Sequence, residues 1–291
     1  MTPLLEAKDT VFISKKTLNL GGKLLDLSVP VVMGILNVTP DSFFDGGSYL
    51  EHTAILKQAE AMLDQGASIL DIGGYSSRPG AAEVSVEEEI ARVLPAIKII
   101  RQHFPEAVLS IDTFRSIVAE AAVKEGALII NDISGGTLDK QMFATAGKLK
   151  AAYILMHMRG TPQTMQGLTD YDDLLFEIID FFQKRLAMLH QHGVRDILLD
   201  PGFGFAKTEA QNYSLLRHLS ALNILERPIL AGLSRKSMIY KKLGTVPEEA
   251  LNGTTVLNTL ALMGGASILR VHDVRPAVEA VKLYEATAKA Y

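Results

Sequence analysis

At eight places along the chain a polar side chain directly follows a short apolar run. In order these are Asn37, Asp71, Asp112, Asn131, His157, Asp200, the triplet Ser234-Arg235-Lys236, and Arg270 with His272. Asp112, Asn131 and Asp200 are two carboxylates and an amide, the groups that read the donor edge of a flat heterocycle. Lys236, Arg270 and His272 bring positive charge suited to an anion such as a phosphate. Ser77-Arg78-Pro79-Gly80 adds a second basic loop, and Asp200-Pro201-Gly202-Phe203-Gly204-Phe205 is a glycine-loosened turn where backbone can approach a ligand. Taken alone, any strand-end Asp or Asn can simply cap the next helix. Eight such positions at one face point to a site.

These residues need elements that bring them together. Val31–Leu36 is an apolar run of the kind buried on both faces of a parallel sheet, and it opens into a polar loop through Asn37, Pro40, Asp41 and Ser42. Phe43 and Phe44 lie within that loop, as expected for one wall of a ligand site; the plainer reading folds them back into the core. Further strands are expected at Ser68–Ile72, Val108–Asp112, Leu128–Asn131, Tyr153–His157, Ile197–Asp200, Ile229–Gly232 and Ser267–Val271. Amphipathic helical patterns separate them, including Ala54–Leu63, Val86–His103, Ile117–Lys124, Asp172–His190 and Thr255–Leu262. Three of these helices run through a glycine, Gly66, Gly126 or Gly265, straight into a strand. Ahead of them, Thr10–Ser28 alternates around Gly21-Gly22 and reads as a β-hairpin.

Eight βα units in about 260 residues predict a (β/α)8 TIM barrel with an N-terminal hairpin, in one domain spanning 1–291. A doubly wound open sheet is the alternative, but it usually carries a Gly-rich dinucleotide turn after its first strand, and none is present. In a barrel the strand ends share one mouth. The 291 residues are 48% apolar, with 29 basic and 33 acidic side chains and a net charge of −4. That balance asks for neither nucleic acid nor an anionic membrane. Without cysteine there is no disulfide, thiolate nucleophile or thiolate zinc site. No basic-then-apolar leader opens the sequence and no apolar run approaches a bilayer's thickness, so a cytoplasmic protein is expected.

GILNVTPDSFFDGG, GGYSSRPG, SIDTFR, IINDISGG, LMHMRGTPQTMQ, LDPGFGFAK, GLSRKS and LRVHDV occur in that order from about residue 31 to 275. The set resembles the motifs of the dihydropteroate synthase family. The resemblance implies a (β/α)8 barrel joining 7,8-dihydropterin-6-ylmethyl diphosphate to 4-aminobenzoate with release of pyrophosphate. It implies Asn37 as a ligand of Mg²⁺, and Asp112, Asn131, Asp200 and Lys236 as pterin readers. Arg270 and His272 become a diphosphate-binding pair, with Arg270 also against the pterin face. Phe43, Ser77, Arg78 and Pro79 surround the second substrate, and Ser234 meets its carboxylate. Met158, Gly204 and Phe205 join the substrate-binding set, and Asp41, Asp112, Lys236 and Arg270 form the catalytic one. The resemblance further implies a homodimer and a sulfonamide target. An apolar Thr254–Met263, wanting cover on more than one face, supports a dimer through the last helices.

Two segments depart from the family pattern. Tyr75 stands where an acid is common, with Ser77 nearby keeping the hydroxyl of a usual threonine, and Ala206 stands where a glycine is frequent. Three rival readings carry different chemistry. A corrinoid-methyltransferase pterin module should lack the SRPG and SRK loops and the Arg270/His272 pair. A Schiff-base aldolase needs a lysine of depressed pKa in an apolar pocket, whereas Lys236 is expected at a loop edge. A catalytically dead pterin binder is at odds with Asn37, Lys236 and Arg270. His157 reads as a strand-end packing residue.

Overall fold

The computed structural model describes residues 15–38, 48–75 and 83–290. A hairpin comes first, β1 (Thr17–Leu20) and β2 (Lys23–Asp26), paired antiparallel about Gly21-Gly22. Eight parallel strands follow: β3 (Val31–Asn37), β4 (Ile69–Gly73), β5 (Val108–Asp112), β6 (Ile129–Asp132), β7 (Ala152–Met156), β8 (Ile197–Asp200), β9 (Ile229–Ala231) and β10 (Ala266–Val271). They close into a barrel in sequence order, β10 pairing with β3. The helices between and after them are α1 (Ser48–Asp64), α2 (Val86–His103), α3 (Ser116–Lys124), α4 (Met142–Leu149), α5 (Leu174–Gln191), α6 (Glu209–Arg217), α7 (Ser237–Leu243), α8 (Leu251–Met263) and α9 (Val274–Ala288). None of the helices described is long and apolar enough to cross a membrane.

The predicted strands are all present, with ends moved by one residue in most cases. His157 and Gly232 fall just beyond β7 and β9. Helix ends moved more, for local reasons. Asp173 is not inside α5 but caps it, its carboxylate accepting from Phe176 N at 3.0 Å. Gly253 hides the true start of α8 at Leu251, four residues before the expected start at Thr255. Gly66, Gly126 and Gly265 have φ of +99°, +117° and +94°, the left-handed backbone that swings each helix end into its strand.

Period-2 alternation assigns every strand residue a face. Leu70 and Ile72 of β4 pack outward against the helical layer, as do Leu109 and Ile111 of β5 and Leu199 of β8. Met33, Ile69, Ile129, Ile154, Leu198, Leu230 and Ile268 point inward and fill the lower barrel. Leu18, Leu20 and Leu27 of the hairpin segment join that inner cluster, so the hairpin stoppers the N-terminal end. Burying a leucine in this way contributes about 1.5–3 kcal/mol. Two residues further along the same strands, the inward positions are Asp71, Asn131, Met156, Asp200, Gly232 and Arg270. The polar set therefore stands directly on an apolar floor, at the C-terminal mouth.

Candidate active site

Arg270 lies at the centre of the mouth. Its Nε donates to Asp71 Oδ2 and its Nη2 to Asp112 Oδ2, both at 2.6 Å. Asn131 Nδ2 donates to the same Asp71 oxygen at 2.9 Å. One guanidinium thus faces two carboxylates. Burial pushes the Asp112 carboxyl up to about 7, Arg270 opposing this while Asp71, Glu89 and Asp132 add to it. Arg270 is held protonated well above its ordinary range because Asp71 and Asp112 outweigh the cost of burial.

Across the mouth, Asp200 and Lys236 face each other over Gly232. A Cβ at Gly232 would stand 3.8 Å from Lys236 Nζ and 3.9 Å from Asp200 Oδ2, so the missing side chain keeps this space open. Burial raises the Asp200 pKa, and Lys236 and the Gly202 N–H hold it back. Lys236 Nζ donates to the Phe203 carbonyl and lies 5.0 Å from the Phe205 ring centre. Burial lowers its pKa to about 8. Lys236 does sit at a loop edge in the chain, as expected, but its amine is turned in from that edge. The residue caps α7 from outside, but its side chain turns inward because Arg235, at φ +55°, twists the chain there. Arg235 itself turns away to a bidentate pair with Asp273, at 3.0 and 2.7 Å.

The loop after β8 is held tightly. A Cβ on Gly202 would meet the His157 carbonyl at 2.1 Å, and φ there is +69°. Gly204 N donates to Asn212 Oδ1 at 2.7 Å. Lys207, only 6% exposed, donates to the carbonyls of Gly202 and Phe205 at 3.0 and 3.1 Å and meets His157 Nδ1 at 3.1 Å. Its pKa falls to about 7 through burial. His157 is buried among Phe181, Phe182 and Tyr171 and its pKa is lowered by burial, so it packs, as expected, and also anchors Lys207. Met158 joins Ile133, Met156, Met165 and Ala206 in an apolar wall against which Phe205 and Phe114 pack. Ala206 has φ +49°, a left-handed backbone that costs a non-glycine residue about 1–2 kcal/mol.

Ser234 Oγ and His272 Nδ1 are 3.0 Å apart, and the His272 N–H donates to the same hydroxyl at 3.2 Å. Asn37 ends β3, and its amide oxygen would lie 3.7 Å from a Cβ built on Gly73, which separates it from Asp112. Among the described residues no three His, Asp or Glu side chains cluster as a metal cage. Asn37 offers one hard oxygen, and Mg²⁺ keeps most of its shell from water and phosphate, so the residue fits such an ion carried by a diphosphate. Asp41, Phe43, Ser77, Arg78 and Pro79 lie outside the described residues. Tyr75, the other departure, accepts from Gln163 Nε2 at 2.9 Å, with its ring edge-on to Phe114 and beside Arg115.

The structure thus bonds Arg270 directly to Asp112 and, through Asp71, links it to Asn131, and it sets Asp200, Lys236, Gly204, Phe205 and Met158 around the same mouth. Two buried groups carry more than sequence reasoning assigned them. Asp71 had only its strand-end position, although its parity with Ile69 marks it as inward. Lys207 stood only as the last residue of the LDPGFGFAK motif, with no role assigned.

A family model described as pterin-binding enzyme matches residues 33–272. The dihydropteroate synthase of Escherichia coli K12 is 47% identical over 277 residues, 92% of this chain and 95% of that protein. The structure of Yersinia pestis dihydropteroate synthase with a sulfonamide drug superposes with a TM-score of 0.87 at 45% identity, covering 94% of this chain and all of that one. Xanthomonas albilineans dihydropteroate synthase in complex with 7,8-dihydropteroate gives 0.85 at 37% identity, with 94% and 100% covered. Matches of this extent and identity place the chain in the dihydropteroate synthase family of pterin-binding enzymes.

Proposed function

We propose that this barrel mouth condenses 7,8-dihydropterin-6-ylmethyl diphosphate with 4-aminobenzoate, a transferase step of folate synthesis. The observation that carries the reading is the Asp200–Lys236 pair facing over Gly232, an acceptor and a donor set to read one heterocycle edge. Asp200 accepts from the pterin amino group and ring N–H, and Lys236 donates to the ring carbonyl. Asn131 and Asp112 complete that edge, while Met158 and Phe205 supply apolar wall. Arg270 lies along the pterin face, and with His272 meets the diphosphate.

The substitution itself asks the protein to position partners and stabilise charge. The methylene C–O bond breaks, and pyrophosphate leaves with the electron pair. The electron-rich dihydropterin stabilises the methylene cation. The aminobenzoate nitrogen then forms the C–N bond and loses a proton. Bound Mg²⁺, held in part by Asn37, would neutralise the departing pyrophosphate. Ser234 meets the aminobenzoate carboxylate, and Phe43, Ser77, Arg78 and Pro79 enclose its ring, with Asp41 in the catalytic set. One domain, cytoplasmic location and no nucleic-acid or membrane partner complete the reading.

Mixing both substrates with enzyme and Mg²⁺ should release pyrophosphate and form dihydropteroate. A borohydride-trapped adduct on Lys236 with a carbonyl substrate would instead favour the Schiff-base reading, for which its depressed pKa otherwise qualifies it. Because its enclosing parts come from two loops, the aminobenzoate site should form only after pterin and pyrophosphate bind. A sulfonamide should therefore bind at least about tenfold more tightly with Mg²⁺, pyrophosphate and a pterin present than to free enzyme, a coupling of about 1–3 kcal/mol. Equal affinity in calorimetry would mean a preformed site.

The same reading makes the enzyme a homodimer through α8 and α9. Leu257, Ala261 and Leu262 of α8 are buried in the barrel's helical layer, whereas Val256, Leu260 and Met263 face outward with Leu283 of α9. Met263 and Leu283 are each 70% exposed, beside a groove of about 770 Å³ between the two helices. An apolar patch of this kind marks an interface. Met263→Glu with Leu283→Glu should turn a dimer into a monomer by light scattering at micromolar concentration; a monomeric parent protein would refute the dimer.

A further inference from the structure

We propose that Asp71 is a positioning residue that sets the orientation of two site residues, Arg270 and Asn131. The inference rests on the reading of this mouth as a pterin site. Asp71 stands on the inward face of β4 one step above Ile69 and is 0% exposed. Its Oδ2 takes both Arg270 Nε at 2.6 Å and Asn131 Nδ2 at 2.9 Å, and its Oδ1, fully buried, has no partner among the described residues. A structural carboxylate this deep would be expected to have both oxygens satisfied, since an unpartnered buried polar atom is costly. The arrangement makes sense if Asp71 acts on its two neighbours.

Its effect on each is specific. Asp71 Oδ2 accepts from the Asn131 NH₂ as it does from Arg270 Nε, leaving the Asn131 amide oxygen as the end that can accept from a ligand. Asn131 thereby presents an acceptor, as Asp112 and Asp200 do. For Arg270, bonds from Nε to Asp71 and from Nη2 to Asp112 fix two points of the planar guanidinium, and hence the plane it offers to a flat ring. Without Asp71 the guanidinium keeps one anchor and can rotate about it, and the Asn131 amide can flip.

A double-mutant cycle tests this, with pterin affinity by calorimetry and thermal melting as a control. Asp71→Asn, nearly isosteric, should weaken binding of a non-reactive pterin about tenfold or more. It should raise the pterin diphosphate KM and lower kcat, and leave the aminobenzoate KM unchanged. In an Asn131→Ala background the same change should cost much less, because one of the two groups it orients is gone. Additive losses, or unchanged pterin affinity in Asp71→Asn, would overturn the proposal. Should that variant fail to fold, Asp71→Ser in the same cycle separates the same outcomes. If Asn131→Ala alone leaves pterin affinity intact, the site reading fails and the proposal with it; if it weakens binding while Asp71→Asn does not, only the proposal fails.

Discussion

Asp200→Asn should reduce affinity for a non-reactive pterin by more than about a hundredfold while the barrel stays folded. Two losses act together. An amide in place of the carboxylate turns one acceptor toward the wrong partner, so a pterin N–H faces an N–H, and a mismatched buried pair costs about 1–3 kcal/mol. The change also strips Lys236 of the charge that opposes its desolvation. A partly desolvated ammonium that loses the charge facing it is less well compensated. Lys236 can avoid that cost by losing its proton, and it then arrives at the pterin carbonyl as a weaker donor. Either way binding suffers at both ends of the heterocycle edge. The Gly202 N–H, 2.7 Å from Asp200 Oδ1, can still be accepted by the amide oxygen, so the loop should survive. That is why a melting temperature close to the parent's is expected alongside the loss. Unchanged affinity in calorimetry would remove Asp200 from the site.

How much of this was legible beforehand follows from the range over which each force acts. The barrel is written locally: a strand such as Ile69–Gly73 alternates its faces every residue, and a glycine such as Gly126 turns a helix end into the next strand within a few positions. Asn131, Asp200 and Arg270 could be seen at strand ends for the same reason. Pairing across the barrel is different. Asp71 and Arg270 are 199 residues apart, and no local pattern says that one guanidinium will bridge Asp71 and Asp112. The side-chain turn at Lys236 depends on a left-handed Arg235 tied to Asp273, a contact spanning 38 residues. Tyr75 was legible only as a departure; its role as acceptor for Gln163 needed two loops brought side by side. Lys207 closes a quoted motif, but its burial was illegible because lysine is a surface residue by default, and only the fold shows three acceptors converging on it.

Raising the pH from about 7.5 to 10 should weaken pterin binding through Lys236, while Lys236 and Lys207 together make the free protein more stable. Burial lowers the Lys236 pKa to about 8, against an ordinary lysine value near 10.4. In the folded chain the ammonium is therefore lost as pH rises through about 8, whereas the unfolded chain keeps its proton until about 10.4. Between those values the unfolded state binds more protons, so the contribution of this group to stability rises with pH. Ligand binding runs the other way. If the pterin carbonyl is met by the ammonium, binding requires the proton, and affinity falls by up to about tenfold per pH unit above 8. In binding, Asp112 and Lys207, both near 7, have largely titrated before the window opens; in stability Lys207 adds to Lys236, because the unfolded chain keeps its proton to about 10.4 as well. Lys236→Met should abolish the alkaline fall in affinity and lower affinity throughout, because Asp200 then lacks its counter-charge. Calorimetry at stepped pH on both proteins reads this directly. A wild-type affinity that stays level to pH 10, or an alkaline limb that persists in Lys236→Met, would mean that the ammonium does not meet the pterin.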